Sequence, residues 1–216
     1  MEESLVSDRE APPPRRGVGR PVDPDIEERV FAAVREVYSE TGWAGFTIHA
    51  VATRAKVGKA AIYRRWESKE ELIVDSITST LSAQMTHRGS LREDLIAIVQ
   101  GELAHYLRPV DGLVRLRAQV EAKAYPELFG TAMERYRRRR TDVARRIIAG
   151  AVDRGELPPD VDGLLMLDAL GGMTLNRYLA TPSYALRALE RDSRRFAESV
   201  VDFVLHAAHA VERPPG

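Results

Sequence analysis

Between Thr47 and Lys69 the sequence carries Arg54, Lys56, Lys59, Arg64, Arg65 and Lys69 against a single acid, Glu67. Cations at that density neutralise phosphates, and their nitrogens donate to phosphate oxygens and to base edges. Ala60 and Ala61 lie in the same run, and side chains this small let a backbone approach the floor of a major groove. Tyr63 adds a ring that packs and a hydroxyl that reaches a phosphate. The whole chain has 32 Lys and Arg against 32 Asp and Glu, so any positive field is local. One face of a fold, not the total charge, sets the field a nucleic acid meets. A short basic stretch taken alone is more often a solvated helix face than a nucleic-acid contact. What decides the matter is whether the surrounding residues build a scaffold.

They do. The run TIHAVATRAKVGKAAIYRRW, residues 47–66, reads as helix, turn, helix. Thr47 is an N-cap for a helix with Ile48, Val51, Ala52 and Ala55 on one side. Ala52 is small enough for a helix crossing, and Lys56-Val57-Gly58 makes the tight turn. Val57 and Ile62 hold a second short helix, Lys59 to Trp66, against the first, with Trp66 read as core or junction anchor. Ser68 followed three residues later by Glu71 is a capping box opening a helix with Leu72, Ile73 and Ile77. Upstream, Asp23-Pro24 reads as a helix start, with Ile26, Val30, Val34 and Val37 at helical spacing and Gly42 as the stop.

Val51-Ala52, Ala55, Val57-Gly58, Ile62-Tyr63, Trp66 and Ser68-Lys69-Glu70-Glu71-Leu72 resemble the DNA-binding domain of the tetracycline-repressor (TetR) family, over residues 20 to 80 or so. The resemblance implies that Thr47, Tyr63 and Lys69 contact phosphates, while Lys59, Ala60 and Arg64 face bases beside Ala61 and Arg65. Gly58 departs from the serine or threonine the family often has there. By the same resemblance the partner is a double-stranded DNA operator, the protein is a homodimer, and an unknown small-molecule effector binds the C-terminal helices. Repression, not activation, is the family's habit.

The rest of the chain keeps the helical period, opening with the capping box Ser90–Glu93 and divided at Pro109, Pro126, Gly155, Pro158, Pro159 and Pro182. No segment alternates at period two. The reading is an all-α fold of about nine helices. Residues 1–22 form a flexible arm, 23–84 a helix-turn-helix domain, and 85–216 a helical domain for effector binding and dimerisation. The arm's Arg15, Arg16 and Arg20 are either a plain linker or a reach into phosphate and minor groove. Tyr106, Arg117, Met133, Tyr136, Met166 and Asn176 are the pocket residues this reading nominates, mixing apolar bulk with polar tips. Leu170, Gly171 and Leu175 on one segment, with Phe196, Val200, Phe203 and Val204 on the last, are the dimer residues, as a four-helix interface would use. Gly171 and Gly172 weaken a helix unless close packing compensates.

Arg137, Arg138, Arg139 and Arg140 point all round a helix, and Glu134 and Asp142 suit a salt-bridged solvent face. His206 and His209 lack a third ligand, so no metal is assigned, and no cofactor. Gly17-Val18-Gly19 follows no strand and is no dinucleotide fingerprint. Nothing points to an enzyme. At 44% hydrophobic and 30% charged, without cysteine and without a membrane-length apolar run, the chain suits the cytoplasm. A helical protein–protein adaptor without DNA binding is the alternative function.

Overall fold

The computed structural model describes residues 25–80 and 88–210, apart from the side chains at 80, 131–133, 135, 136, 139 and 140. Among these residues it holds ten α-helices, one 3-10 turn and no strand. The helix start expected at Asp23-Pro24 lies outside the described residues.

Helix α1 (Ile26–Gly45) buries Ile26, Val30, Val34, Val37 and Tyr38, one stripe at three- and four-residue spacing. Gly42 breaks it at φ 63°, and the chain then resumes for one more turn. Three shorter helices follow: α2 (Ile48–Ala55), α3 (Lys59–Tyr63) and α4 (Lys69–Thr80). Their shared core includes Val51, Ile62, Leu72 and Ile73, all fully buried. Trp66 closes it, its ring 5.5 Å from that of Phe31. This core runs on into α6 (Pro109–Ala124) through Val114 and Ala118, and into α7 (Pro126–Asp153) through Phe129. The head is therefore seated on α6 and α7 by shared apolar packing.

A second core joins α5 (Leu91–Leu107), the end of α7, α8 (Gly163–Ala180) and α10 (Ser193–Ala210) around Leu95, Val99, Leu170 and Val201. A 3-10 turn, Ser183–Ala185, and α9 (Leu186–Arg191) connect α8 to α10. The count of about nine helices missed α9, whose six residues are too few to display a period. Helix α3 also ends three residues before the expected Trp66, because the N–H groups of Arg65 and Trp66 both bond back to the Ile62 carbonyl and close the turn. No described helix is long and apolar enough to cross a membrane.

Candidate nucleic-acid interface

Three local devices set the recognition surface. The Thr47 hydroxyl oxygen accepts the Ala50 N–H at 3.2 Å and caps α2. The cap uses a lone pair, so the hydroxyl proton stays available to a phosphate. The turn after α2 closes with the Val57 N–H on the Ala52 carbonyl at 3.0 Å. The left-handed residue of that turn is Lys56 (φ 55°, ψ 45°), not Gly58, which sits in extended backbone with open space where a Cβ would lie. Left-handed backbone costs a non-glycine residue roughly 1 kcal/mol. Lys56→Gly therefore stabilises the protein by at most about 0.5 kcal/mol in chemical denaturation, after the entropy cost of glycine in the unfolded chain. A loss of stability would show that Lys56 is not strained.

Ile62 and Trp66, both buried, pin α3 by its inner side. Lys59, Ala60, Tyr63 and Arg64 are left exposed, with Ala61 and Arg65 half-buried beside them. Tyr63 keeps 54% of its surface open. Among the described residues Lys59, Arg64 and Arg65 have no ion-pair partner, so their charge is available to a ligand. Arg54 is different: its guanidinium bonds both carboxylate oxygens of Glu40 at 2.6 and 3.0 Å. That pairing holds the Glu40 carboxyl below the usual range. Arg54 therefore braces α2 against α1 and adds little to the external field.

Lys69 opens α4 under the Ser68–Glu71 box. Ser68 Oγ accepts the Glu71 N–H at 3.1 Å, and the Glu71 carboxylate accepts the Glu67 N–H at 2.7 Å. The return bond lands one residue earlier than the standard box. The Lys69 ammonium lies 4.1 Å from the centre of the Trp43 ring, a contact the sequence reading missed. Behind Trp43, the Glu121 carboxylate of α6 accepts the Trp43 N–H at 3.1 Å and the Tyr38 hydroxyl at 2.7 Å. Burial, together with that hydrogen bond, pushes the Tyr38 phenol far above its ordinary range. Arg117 also reaches the head, donating to the Ser39 carbonyl at 3.1 Å. Gly42 stands at φ 63° and ψ −174°, backbone that favours glycine, and a Cβ there would also displace the tips of Arg117 and Glu121, 2.6 and 2.7 Å away.

Residues 30–75 match the family described as bacterial regulatory proteins, tetR family. Residues 85–204, over half of the chain, match the tetracyclin repressor-like C-terminal domain. The chain belongs to the tetR family of bacterial regulatory proteins. The DNA-binding transcriptional repressor TetR of Mycobacteroides abscessus is 31% identical over 164 residues, 68% of this chain and 79% of that protein. YdeS of Bacillus subtilis, an uncharacterized HTH-type transcriptional regulator, is 29% identical over 169 residues, 76% of this chain and 83% of its own length. In fold the chain is similar to Salmonella enterica GusR, with TM-score 0.68 and 16% identity over 86% of this chain and 98% of that one. It is likewise similar to Bacillus subtilis FadR in complex with stearoyl-CoA, with TM-score 0.65 and 14% identity over 82% and 97% of the two chains. The molecule is thus a DNA-binding regulator of the tetR family, with an N-terminal helix-turn-helix and a helical C-terminal domain.

Within this tetR-family fold the nominated pocket residues that are described have different surroundings. Tyr106 is buried, its ring 5.4 Å from that of Tyr178, and the Arg115 guanidinium lies 4.7 Å above it. Met166 belongs to the second core. Asn176 is exposed and lines an open groove of about 390 Å³ between α8 and α10, with Met173, Phe196 and Val200. Arg117 faces the head instead. The side chains of Met133, Tyr136, Arg139 and Arg140, like the arm with Arg15, Arg16 and Arg20, lie outside the described residues. Arg137 and Arg138 both pair with Glu134, at 3.2 and 2.8 Å, on an exposed surface.

The nominated dimer residues divide in two. Leu170, Val200 and Val204 are buried within the single chain. Gly171, Leu175 and Phe196 are half-buried, and Phe203 is 64% exposed. The exposed apolar face also carries Leu164, Leu165 and Leu179. A seven-residue spacing, Leu165, Gly172 and Leu179, marks that face opposite the buried stripe of Met166, Leu170 and Thr174. Gly172 has open space where its Cβ would lie, so no packing inside the chain compensates it.

Proposed function

We propose that the protein is a cytoplasmic homodimeric repressor that reads a palindromic DNA operator with α3 and leaves it when a small molecule binds its C-terminal helices. It acts by binding, not catalysis. The observation that carries this reading is the uncovered face of α3, where Lys59, Tyr63 and Arg64 stand exposed around Ala60. One head of this size covers one half-site, so operator affinity requires two heads in fixed register. The apolar face of α8 and α10 supplies the surface that pairs them. The effector part rests on the Tyr106–Tyr178 stack beside Arg115, and on a stearoyl-CoA complex of a protein sharing the fold. No observation favours the adaptor reading.

Selection of bound duplexes from random DNA by the purified protein tests the proposal. A palindromic motif supports it, and absence of enrichment removes it. On the selected duplex, Tyr63→Phe and Lys69→Ala weaken binding to all sequences alike, since phosphates carry no sequence information. Arg64→Ala instead relaxes preference at one position in each half-site, by roughly 1–3 kcal/mol for a bidentate contact. An unchanged motif from a repeated selection with Arg64→Ala would remove Arg64 from base reading.

A further inference from the structure

The Trp43 ring that meets the Lys69 ammonium also lines an acidic cleft. Glu70, Glu71 and Glu127 line a cleft of about 510 Å³ together with Trp43, Val74 and Leu128. Among the described residues Lys69 is paired with none of these carboxylates, and its Nζ sits 4.1 Å from the centre of the Trp43 ring. Glu71 is engaged by the Glu67 N–H. The charge of Lys69 is thus held by a π face, which directs an ammonium without neutralising it.

Trp43 is fixed at its backbone and on two sides of its ring. Its backbone N–H is held by Glu121 of α6 at 3.1 Å. Phe129 of α7 meets it edge-on, with centroids 6.1 Å apart at 81°. Phe46 stacks on it at 6.2 Å and 21°. A lysine stem has four rotatable carbons, and ordering it at a phosphate costs rotamer freedom unless something orders it beforehand. An ammonium also has three N–H donors, so contact with a ring leaves others for an anion.

We propose that Trp43 is the positioning residue for the phosphate contact of Lys69: its clamped ring pre-orders the ammonium at the start of α4. The inference rests on the reading of Lys69 as a phosphate ligand. It assigns Trp43 a role in DNA affinity that acts through Lys69.

The test uses the full chain, the duplex recovered by selection, and biosynthetic replacement of both tryptophans, Trp43 and Trp66, by increasingly fluorinated tryptophan. Fluorination drains the negative face of the ring while nearly preserving its shape, so the fold survives. The wild-type protein is expected to lose DNA affinity stepwise with fluorination, several-fold in all. Lys69→Met loses affinity once, flattens the log K against log salt slope by roughly 0.9 for one lost contact, and is then indifferent to fluorination. Because Trp66 is replaced in both proteins, its contribution cancels. Trp43→Phe, which keeps a weaker π face, falls between wild type and Trp43→Leu, and Trp43→Leu falls towards Lys69→Met. Equal fluorination losses with and without Lys69 would overturn the positioning role, as would no loss in either. An unchanged affinity and salt slope for Lys69→Met would instead overturn the phosphate contact on which the inference rests.

Discussion

Leu165→Arg combined with Phe203→Arg yields a folded monomer whose affinity for a two-half-site operator is lower by about a hundredfold or more. Both side chains stand on the outer face of α8 and α10, 65% and 64% exposed, with Leu179 at 59% beside them. Full burial of a leucine or phenylalanine side chain is worth about 1.5–3 kcal/mol, and a twofold interface uses each residue twice. Two arginines per chain place four charges in a surface that has to be dry. Two linked heads gain roughly 10²–10⁴ in affinity over one, and that gain disappears with the link. The choice of residues matters. Leu170 and Val204 lie in the core of the single chain, so their loss would report on folding instead. Sedimentation equilibrium and a DNA titration measure the two effects. A variant that stays dimeric, or a monomer that keeps full operator affinity, would refute this assignment of the interface.

Gly112→Ala is the second change with a large effect, and it acts on the fold. Helices α5 and α6 are joined by Arg108 alone, and Pro109 starts α6 at once. So sharp a corner drives the first turn of α6 onto the last turn of α5. A Cβ at Gly112 would overlap the Tyr106 carbonyl oxygen and lie 3.0 Å from its carbonyl carbon. These are backbone atoms with no rotamer to change, so relief requires moving a helix. Overpacking costs about 1–3 kcal/mol, and the upper end applies where backbone must shift. For a chain of this size that lowers the thermal midpoint by roughly 6–12 °C. A midpoint within 1 °C or so of wild type would mean that the corner opens freely. The displaced Tyr106 also carries the stack with Tyr178, so this substitution disturbs the nominated effector region along with stability.

Much of the head was legible because its signals act within one helical turn. Thr47, Ser68 and Ser90 cap their helices through the N–H three residues on, as their spacing predicted. Ile48, Val51, Ala52, Ala55 and Ile62 are buried, as an apolar stripe must be. The exposure of Lys59, Ala60, Tyr63 and Arg64 follows by elimination once Ile62 and Trp66 are committed to the core. Errors began where a local rule had two solutions. The turn was placed at Lys56-Val57-Gly58, but nothing local told that its left-handed residue is Lys56. A basic residue in a basic run suggests external charge, but Arg54 is taken up by Glu40, fourteen residues away.

By itself the sequence determined helix identity, the caps, the inner faces of α1 to α4 and the basic outer face of α3, because each depends on neighbours within about four residues. Only the tertiary structure decided what the long-range partners do. Arg117 and Glu121 hold the end of α1 from 77 to 83 residues away. Trp43 holds Lys69 across the head. α8 and α10 each carry more apolar residues than one buried stripe uses, so composition could not say which of them the chain buries. Packing against α5 and α7 claims Met166, Leu170, Val200 and Val204 and leaves Leu165, Leu179 and Phe203 outside. A helix face becomes a surface only after other helices have taken the opposite one.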